Sequence, residues 1–344
     1  MPSPPGRVLV MAPNWLGDAV MALPALQTLR RHYPEAHLAV AARPSVAPLY
    51  AMVPGVNATL TLESRGGLSQ VRRWRRDAAR LEAERFDLAL LLPNSFMTAW
   101  VTARARVPER WGFDTAWRGG WLTKAVRRPA PSLHQADYYL ALTTAAGLAP
   151  ADRVARLVVP EAASAAASAL LPRGEIVVLA PGAAYGRAKQ WPPERFAALA
   201  RTLRHTRGLT PVLVGAGGDA VAGSEFRQAL AAVPGGSDTQ AAVVNLIGKT
   251  DLATLAAVLA RARAVVANDS GAMHLAGAVG VPVVAIFGPT NERQTAPLTA
   301  RLDAPPPRLA IHHVWCRPCM LRECPLGHMC MRGVSPDDVA ALIP

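Results

Sequence analysis

Ala264-Val265-Val266-Ala267-Asn268-Asp269-Ser270-Gly271-Ala272-Met273-His274 decides the fold. Four apolar residues lead into a polar turn, and a helical pattern then runs from Gly271 to about Val279. Gly280-Val281-Pro282 stops that helix, and Val283-Val284-Ala285-Ile286-Phe287 is a second apolar run. Strand, turn, helix and strand in this order make a βαβ unit, which calls for parallel strands with the helix on one face. A polar turn that opens a helix presents unpaired backbone N–H groups and the positive end of the helix dipole, a ready site for phosphate. Acidic Asp269 and His274 flank the turn, and a bare phosphate cradle needs neither. The stretch reads as a site for a diphosphate with something polar attached.

The same alternation extends outward from this unit. Arg7–Met11 reads as a buried strand, Ala19–His32 as a helix and His37–Ala42 as a second strand. A basic helix over Leu68–Glu84 precedes another apolar run, Asp87–Leu92. After a Pro- and Ala-rich stretch, Pro150–Pro172, the pattern restarts with strand Ile176–Ala180, helix Pro193–His205 and strand Pro211–Val214. Gly215-Ala216-Gly217-Gly218 ends that strand, and Leu252–Arg261 is a further helix. Ser335–Ile343 reads as a short helix with Ser335 as N-cap and Pro336 in its first turn. A chain of 344 residues exceeds one ordinary core and suits two domains. The expectation is an α/β protein of two doubly wound parallel-sheet domains, 1–160 and 173–334, with a hinge near 155–172 and a terminal helix over 335–344. Ligands in such sheets bind at the carboxyl ends of the strands, and in a two-domain version in the cleft the domains face across.

Half the residues are apolar, yet no apolar run reaches the ~18 residues a membrane helix needs. The N-terminus lacks a signal-peptide pattern, because the run from Val8 to Pro13 is short and ends in Asn14-Trp15. A cytoplasmic protein is expected. Net charge is +13 and uneven, with 18 Lys/Arg against 10 Asp/Glu in residues 1–150. Arg72, Arg73, Arg75, Arg76, Arg80 and Arg85 crowd one segment around Trp74. That segment reads either as a solvated helix face or as a surface for polyanions, whether nucleic acid, acidic lipid or phosphorylated glycolipid. Only three lysines, Lys124, Lys189 and Lys249, stand against 34 arginines.

Four constellations carry chemistry. Pro13-Asn14-Trp15-Leu16-Gly17-Asp18 follows the first strand. Gly17 permits close backbone approach, and Asp18 is open to two readings, a helix cap or a general base. Pro181-Gly182-Ala183-Ala184-Tyr185-Gly186-Arg187-Ala188-Lys189-Gln190-Trp191-Pro192 follows the first strand of the second half. Gly182 leaves backbone exposed there, and Lys189 is either a solvated loop lysine or a cation for a leaving diphosphate. In the opening stretch Asp269 either caps the helix or binds sugar hydroxyls. His274, one turn in, is a core histidine or a ligand. Finally Cys316, Cys319, Cys324 and Cys330, all the cysteines of the chain, fall within 15 residues around His328. In a cytoplasmic protein that density suggests a structural metal, with reduced thiols or adventitious disulfides as the alternatives. The absence of a GxGxxG fingerprint argues against a dinucleotide oxidoreductase.

These segments, together with Leu92-Pro93-Asn94-Ser95-Phe96 and Phe287-Gly288-Pro289-Thr290, resemble the lipopolysaccharide heptosyltransferases of glycosyltransferase family 9. The resemblance spans almost the whole chain, and its segments keep the family's order. It implies the GT-B fold, two Rossmann-like domains facing across a cleft, and inverting transfer of heptose from ADP-heptose. It implies Asp18 as base, Lys189 near the donor diphosphate and Asp269 on the donor heptose. Ser270-Gly271 is implied as the phosphate-binding helix start, and His274 as a motif histidine near the donor. Ala184-Tyr185 stands where one branch of the family has hydroxyl residues. That departure favours a heptosyl-Kdo2-lipid A acceptor; the other branch, or another ADP-sugar transferase of the family, is the alternative. No cofactor is implied for catalysis, and the cysteine cluster lies outside the catalytic pattern. A basic first half with no membrane span is expected at the anionic inner leaflet, on the cytoplasmic face. A nucleic-acid-binding module would leave Asp18, Lys189 and Asp269 idle, so no nucleic acid is expected as a partner.

Overall fold

The computed structural model describes residues 4–63, 70–233 and 236–344, and the chain divides into two compact units, Met1–Ala155 and Arg156–Pro344. The first holds β1 (Arg7–Met11), β2 (His37–Ala42), β3 (Ala58–Thr61), β4 (Leu88–Leu91), β5 (Glu109–Phe113) and β6 (Lys124–Val126), in the order β3-β2-β1-β4-β5-β6. All pairings are parallel. Val8 to Met11 lie between Leu38 to Ala41 on one side and Leu88 to Leu91 on the other. A strand covered on both faces must be apolar throughout, which is why Val8-Leu9-Val10-Met11 does not alternate.

The second unit holds β7 (Ile176–Ala180), β8 (Thr210–Leu213), β9 (Val244–Asn245), β10 (Ala264–Asn268), β11 (Val283–Phe287) and β12 (Arg308–Ile311), also parallel, in the order β12-β11-β10-β7-β8-β9. Counted from its own first strand, this repeats the order of the first unit. Both are doubly wound sheets of Rossmann type. Winding runs outward from the first strand, then restarts on its other side. The reversal falls between β1 and β4 in one sheet and between β7 and β10 in the other. Loops leaving those strands diverge and open a crevice at the strands' carboxyl ends.

Three expectations differ from what the chain does. The helix expected over Ala19–His32 is two helices, Leu16–Met21 and Leu23–His32. Pro24 has no N–H to donate to Val20, so the ladder breaks. The Ala22 N–H closes the first helix on Asp18 O at 2.9 Å, and the Ala25 and Leu26 N–H groups start the second on Ala22 O. The stretch expected as a hinge contains a helix, Glu161–Leu170, packed on the helix Leu252–Ala260 of the second unit. Its buried residues are Ala163 and Ala167, too small to write an apolar stripe. The terminal helix, Pro336–Ala341, begins with the expected cap, Ser335 Oγ accepting the Asp338 N–H at 3.1 Å. It is no appendage, because Val339, Ala340 and Ile343 join the core around Phe196 and Leu203.

The basic helix runs Val71–Ala83; its expected start at Leu68 lies outside the described residues. Trp74, Asp77, Ala78 and Leu81 are its buried side, the three-and-four spacing of a core-facing stripe. Arg72, Arg73, Arg75, Arg76 and Arg80 are exposed.

Candidate active site

In the second sheet, one side chain ties together the loops that flank the reversal. Asn268, the last residue of β10, is fully buried. Its Nδ2 donates to Pro181 O at 2.8 Å, and its Oδ1 accepts the Trp191 N–H at 3.0 Å. Asparagine offers a donor and an acceptor in one rigid plane, which lets one side chain at the end of β10 hold both ends of the loop after β7.

Asp269 follows. Its Oδ2 accepts from Lys189 Nζ at 2.7 Å and from Thr290 Oγ1 at 2.6 Å. The side chains of Lys189 and Asp269 are 13% and 6% exposed. A pair this dry must offset a large desolvation cost with good geometry and added hydrogen bonds, and Thr290 supplies one. Lys189 is therefore no solvated loop lysine. Asp269 is no cap either: Ser270 holds that position, with extended backbone, and its side chain makes no cap hydrogen bond to the helix Gly271–Val279. Ser270 Oγ is buried and has no partner among the described residues. The helix thus opens with N–H groups that its cap residue leaves unsatisfied and an unengaged hydroxyl, a donor set suited to an anion.

Gly182 packs against Asp219, and a Cβ at position 182 would overlap that carboxylate. Asp219 accepts the Ala216 N–H at 2.8 Å. Burial raises its carboxyl above the ordinary range, against the opposing effect of that hydrogen bond. Sequence reasoning singled out neither Asp219 nor the role of Thr290. The signals were there, since Asp219 ends the Gly215-Ala216-Gly217-Gly218 run and Thr290 ends a turn straight after β11. His274 is 3% exposed, in line with its neighbours Met273, Leu275 and Ala276.

In the first sheet, the loops after β1 and β4 flank the reversal. Trp15 takes the cap position of the helix Leu16–Met21, so Asp18 sits within its first turn, half-buried, one residue after Gly17. Tyr139 faces it. Burial first, and the Asp18 charge second, hold the Tyr139 hydroxyl well above its usual pKa, so it stays protonated. The loop after β4 is held by Arg118, which is wholly buried. Its guanidinium donates to Phe113 O at 2.9 Å, Thr98 Oγ1 at 3.2 Å, Ser95 O at 3.3 Å and also Pro93 O. Burial lowers its pKa to about 10, which leaves it charged at neutral pH. Asn94, on the same loop, donates from Nδ2 to the Tyr138 hydroxyl at 2.7 Å. Arg118 carried no sequence signal, being one arginine among 34.

Residues 74–330 match glycosyltransferase family 9 (heptosyltransferase). The chain belongs to this family. It is 33% identical over 305 residues to lipopolysaccharide heptosyltransferase 2 of Salmonella typhimurium, covering 85% of this chain and 86% of that one. Among solved structures, the ADP-heptose lipopolysaccharide heptosyltransferase II of Escherichia coli superposes with a TM-score of 0.80 at 29% identity, covering 98% of this chain and 97% of that one. The two doubly wound units of this family 9 glycosyltransferase are those of the GT-B fold. An iron-containing dodecameric glycosyltransferase of enterotoxigenic E. coli shares the fold at a TM-score of 0.57 and 14% identity, covering 98% of this chain and 75% of that one.

The four cysteines of this family 9 enzyme lie within residues 316–330, where a structural metal is expected. Among the described residues, no three His, Cys, Asp or Glu side chains are grouped to hold an ion. Cys316, Cys319, Cys324 and Cys330 are free thiols. Cys330 is 5% exposed and packs with Met331 in the core. Burial raises its pKa, and the neighbouring Cys316 and Cys324 thiols add to the shift. Cys324 Sγ accepts the His328 N–H at 3.3 Å.

Proposed function

We propose that this glycosyltransferase transfers L-glycero-D-manno-heptose from ADP-heptose to the heptosyl-Kdo2-lipid A inner core, with inversion at the anomeric carbon. The observation that carries the reading is the Lys189–Asp269–Thr290 cluster beside the uncapped helix start at Ser270-Gly271. A carboxylate suited to sugar hydroxyls beside donors suited to a diphosphate supports the reading. The names of the relatives support the choice of sugar and acceptor.

The chemistry follows from the residues. An acceptor hydroxyl is a weak nucleophile at neutral pH, and Asp18 takes its proton as the oxygen attacks the anomeric carbon. The bond from that carbon to the diphosphate breaks on the opposite face, and ADP departs. Negative charge grows on the leaving oxygen, where the helix start and Lys189 stabilise it. Gly182 leaves room for the Asp219 carboxylate beside the donor loop. Catalysis of this kind draws its positive charge from the protein. Incubation with ADP-heptose and Kdo2-lipid A, with and without a first heptose, should give product only from the heptosylated acceptor. The rate should survive EDTA. Transfer to the bare acceptor would move the enzyme to the other branch of the family, and an EDTA-sensitive rate would end the metal-free reading.

The acceptor is a lipid, and no helix among the described residues is long and apolar enough to cross a membrane. We propose peripheral docking at the cytoplasmic face of the inner membrane through exposed Arg72, Arg73, Arg75 and Arg76. Each basic residue near an anionic surface contributes about 1 kcal/mol. Replacing all four by glutamine should abolish co-flotation with vesicles containing anionic lipid at low salt. Unchanged flotation would assign the arginines to a solvated face.

A further inference from the structure

The cysteine-rich segment is built against the donor loops. Arg317, 6% exposed, donates to Gly288 O at 2.5 Å and Thr290 O at 3.2 Å, and pairs with Glu292 at 3.0 Å. These groups belong to the turn whose Thr290 hydroxyl holds Asp269. The Met320 N–H donates to Pro289 O in the same turn at 2.9 Å. The segment also grips the loop after β7. The Tyr185 hydroxyl donates to Met320 O at 2.8 Å, and the Ala188 N–H donates to Arg322 O at 2.9 Å. A Cβ on Gly186 would overlap that same Arg322 carbonyl. Residues 317–322 thus bridge the two loops that carry Thr290 and Lys189.

This docking delivers a second cation. The Arg322 guanidinium lies 5.1 Å from the centroid of the Tyr185 ring, and Lys189 Nζ lies 4.7 Å from the same ring. Lys189 also serves Asp269, so it stabilises a diphosphate less than an unpaired ammonium would. Arg322 is exposed, and no carboxylate pairs with it among the described residues. A guanidinium, with its planar fork, engages two phosphate oxygens at once, which an ammonium does not.

We infer that Arg322 is a further donor-binding residue, contacting the diphosphate of the nucleotide-sugar and stabilising the departing ADP. The inference rests on the donor reading of the same site. Arg322→Met, Arg322→Lys and a charge control, Arg301→Met, separate the two. Arg301 pairs with Asp303, both well exposed. Calorimetry with ADP and with adenosine gives binding, and single-turnover transfer gives the chemical step. Arg322→Met should weaken ADP roughly 10- to 100-fold and leave adenosine unchanged. Transfer should slow by about 10²-fold, with partial recovery in Arg322→Lys and none of these effects in Arg301→Met. Wild-type ADP affinity and rate in Arg322→Met would overturn the inference. So would equal losses for ADP and adenosine, which indicate a displaced loop. A wild-type enzyme that binds no ADP would overturn the donor reading itself and this inference with it.

Discussion

Asp18→Asn should lower heptosyl transfer by about 10²- to 10⁴-fold, the usual contribution of a positioned general base, while ADP binds with unchanged affinity. Asparagine keeps the size of the side chain and removes the lone charge that accepts the proton. Asp18 belongs to the first sheet and the donor residues to the second, so the substitution leaves Lys189, Asp269 and Ser270 untouched. The Tyr139 hydroxyl beside it stays protonated and does not substitute as a base. The rate at saturating donor and acceptor, with ADP titrated separately by calorimetry, checks both halves of this expectation. A rate within tenfold of the parent enzyme would place the base elsewhere. Weakened ADP binding would mean that Asp18 acts on the donor instead.

Lys189→Met should damage both stability and catalysis, and the two are separable. Without the ammonium, the Asp269 carboxylate keeps only Thr290 in a site where it is 6% exposed. Removing one partner of a buried pair costs about 3–5 kcal/mol, because the other charge is left uncompensated. Loss of a donor at the leaving group should also cost about 10²–10³ in kcat. Adding Asp269→Asn removes the stranded charge, so the double variant should recover much of the lost Tm. It should not recover transfer. A double variant that regains activity would make Lys189 a brace for Asp269 and nothing more.

Much of this was legible before any coordinates. The parallel sheets announce themselves in Val8-Leu9-Val10-Met11 and Ala264-Val265-Val266-Ala267, because a strand buried on both faces cannot alternate. Lys189 and Asp269 were picked out by rarity and by position after a strand. Their pairing was not legible, since 80 residues separate them. Thr290 became visible only once β11 was seen beside β10. The Pro24 break was written in the sequence and passed over in favour of helical periodicity. The helix Glu161–Leu170 was hidden because alanine buries without announcing it. Four cysteines drew attention to residues 316–330, whereas the side chains reaching the donor loops are Arg317 and Arg322, lost among 34 arginines.

Asn268 has a consequence for anyone wishing to change the sugar this enzyme accepts. Its amide spans from Pro181 O to the Trp191 N–H, at 2.8 and 3.0 Å. Both ends of the loop after β7 are therefore pinned to the end of β10, and a change in its length would unseat one of the two hydrogen bonds. Ala184 is exposed and Tyr185 half-buried on that fixed frame. Side chains can be exchanged at those two positions with the length of the loop left alone.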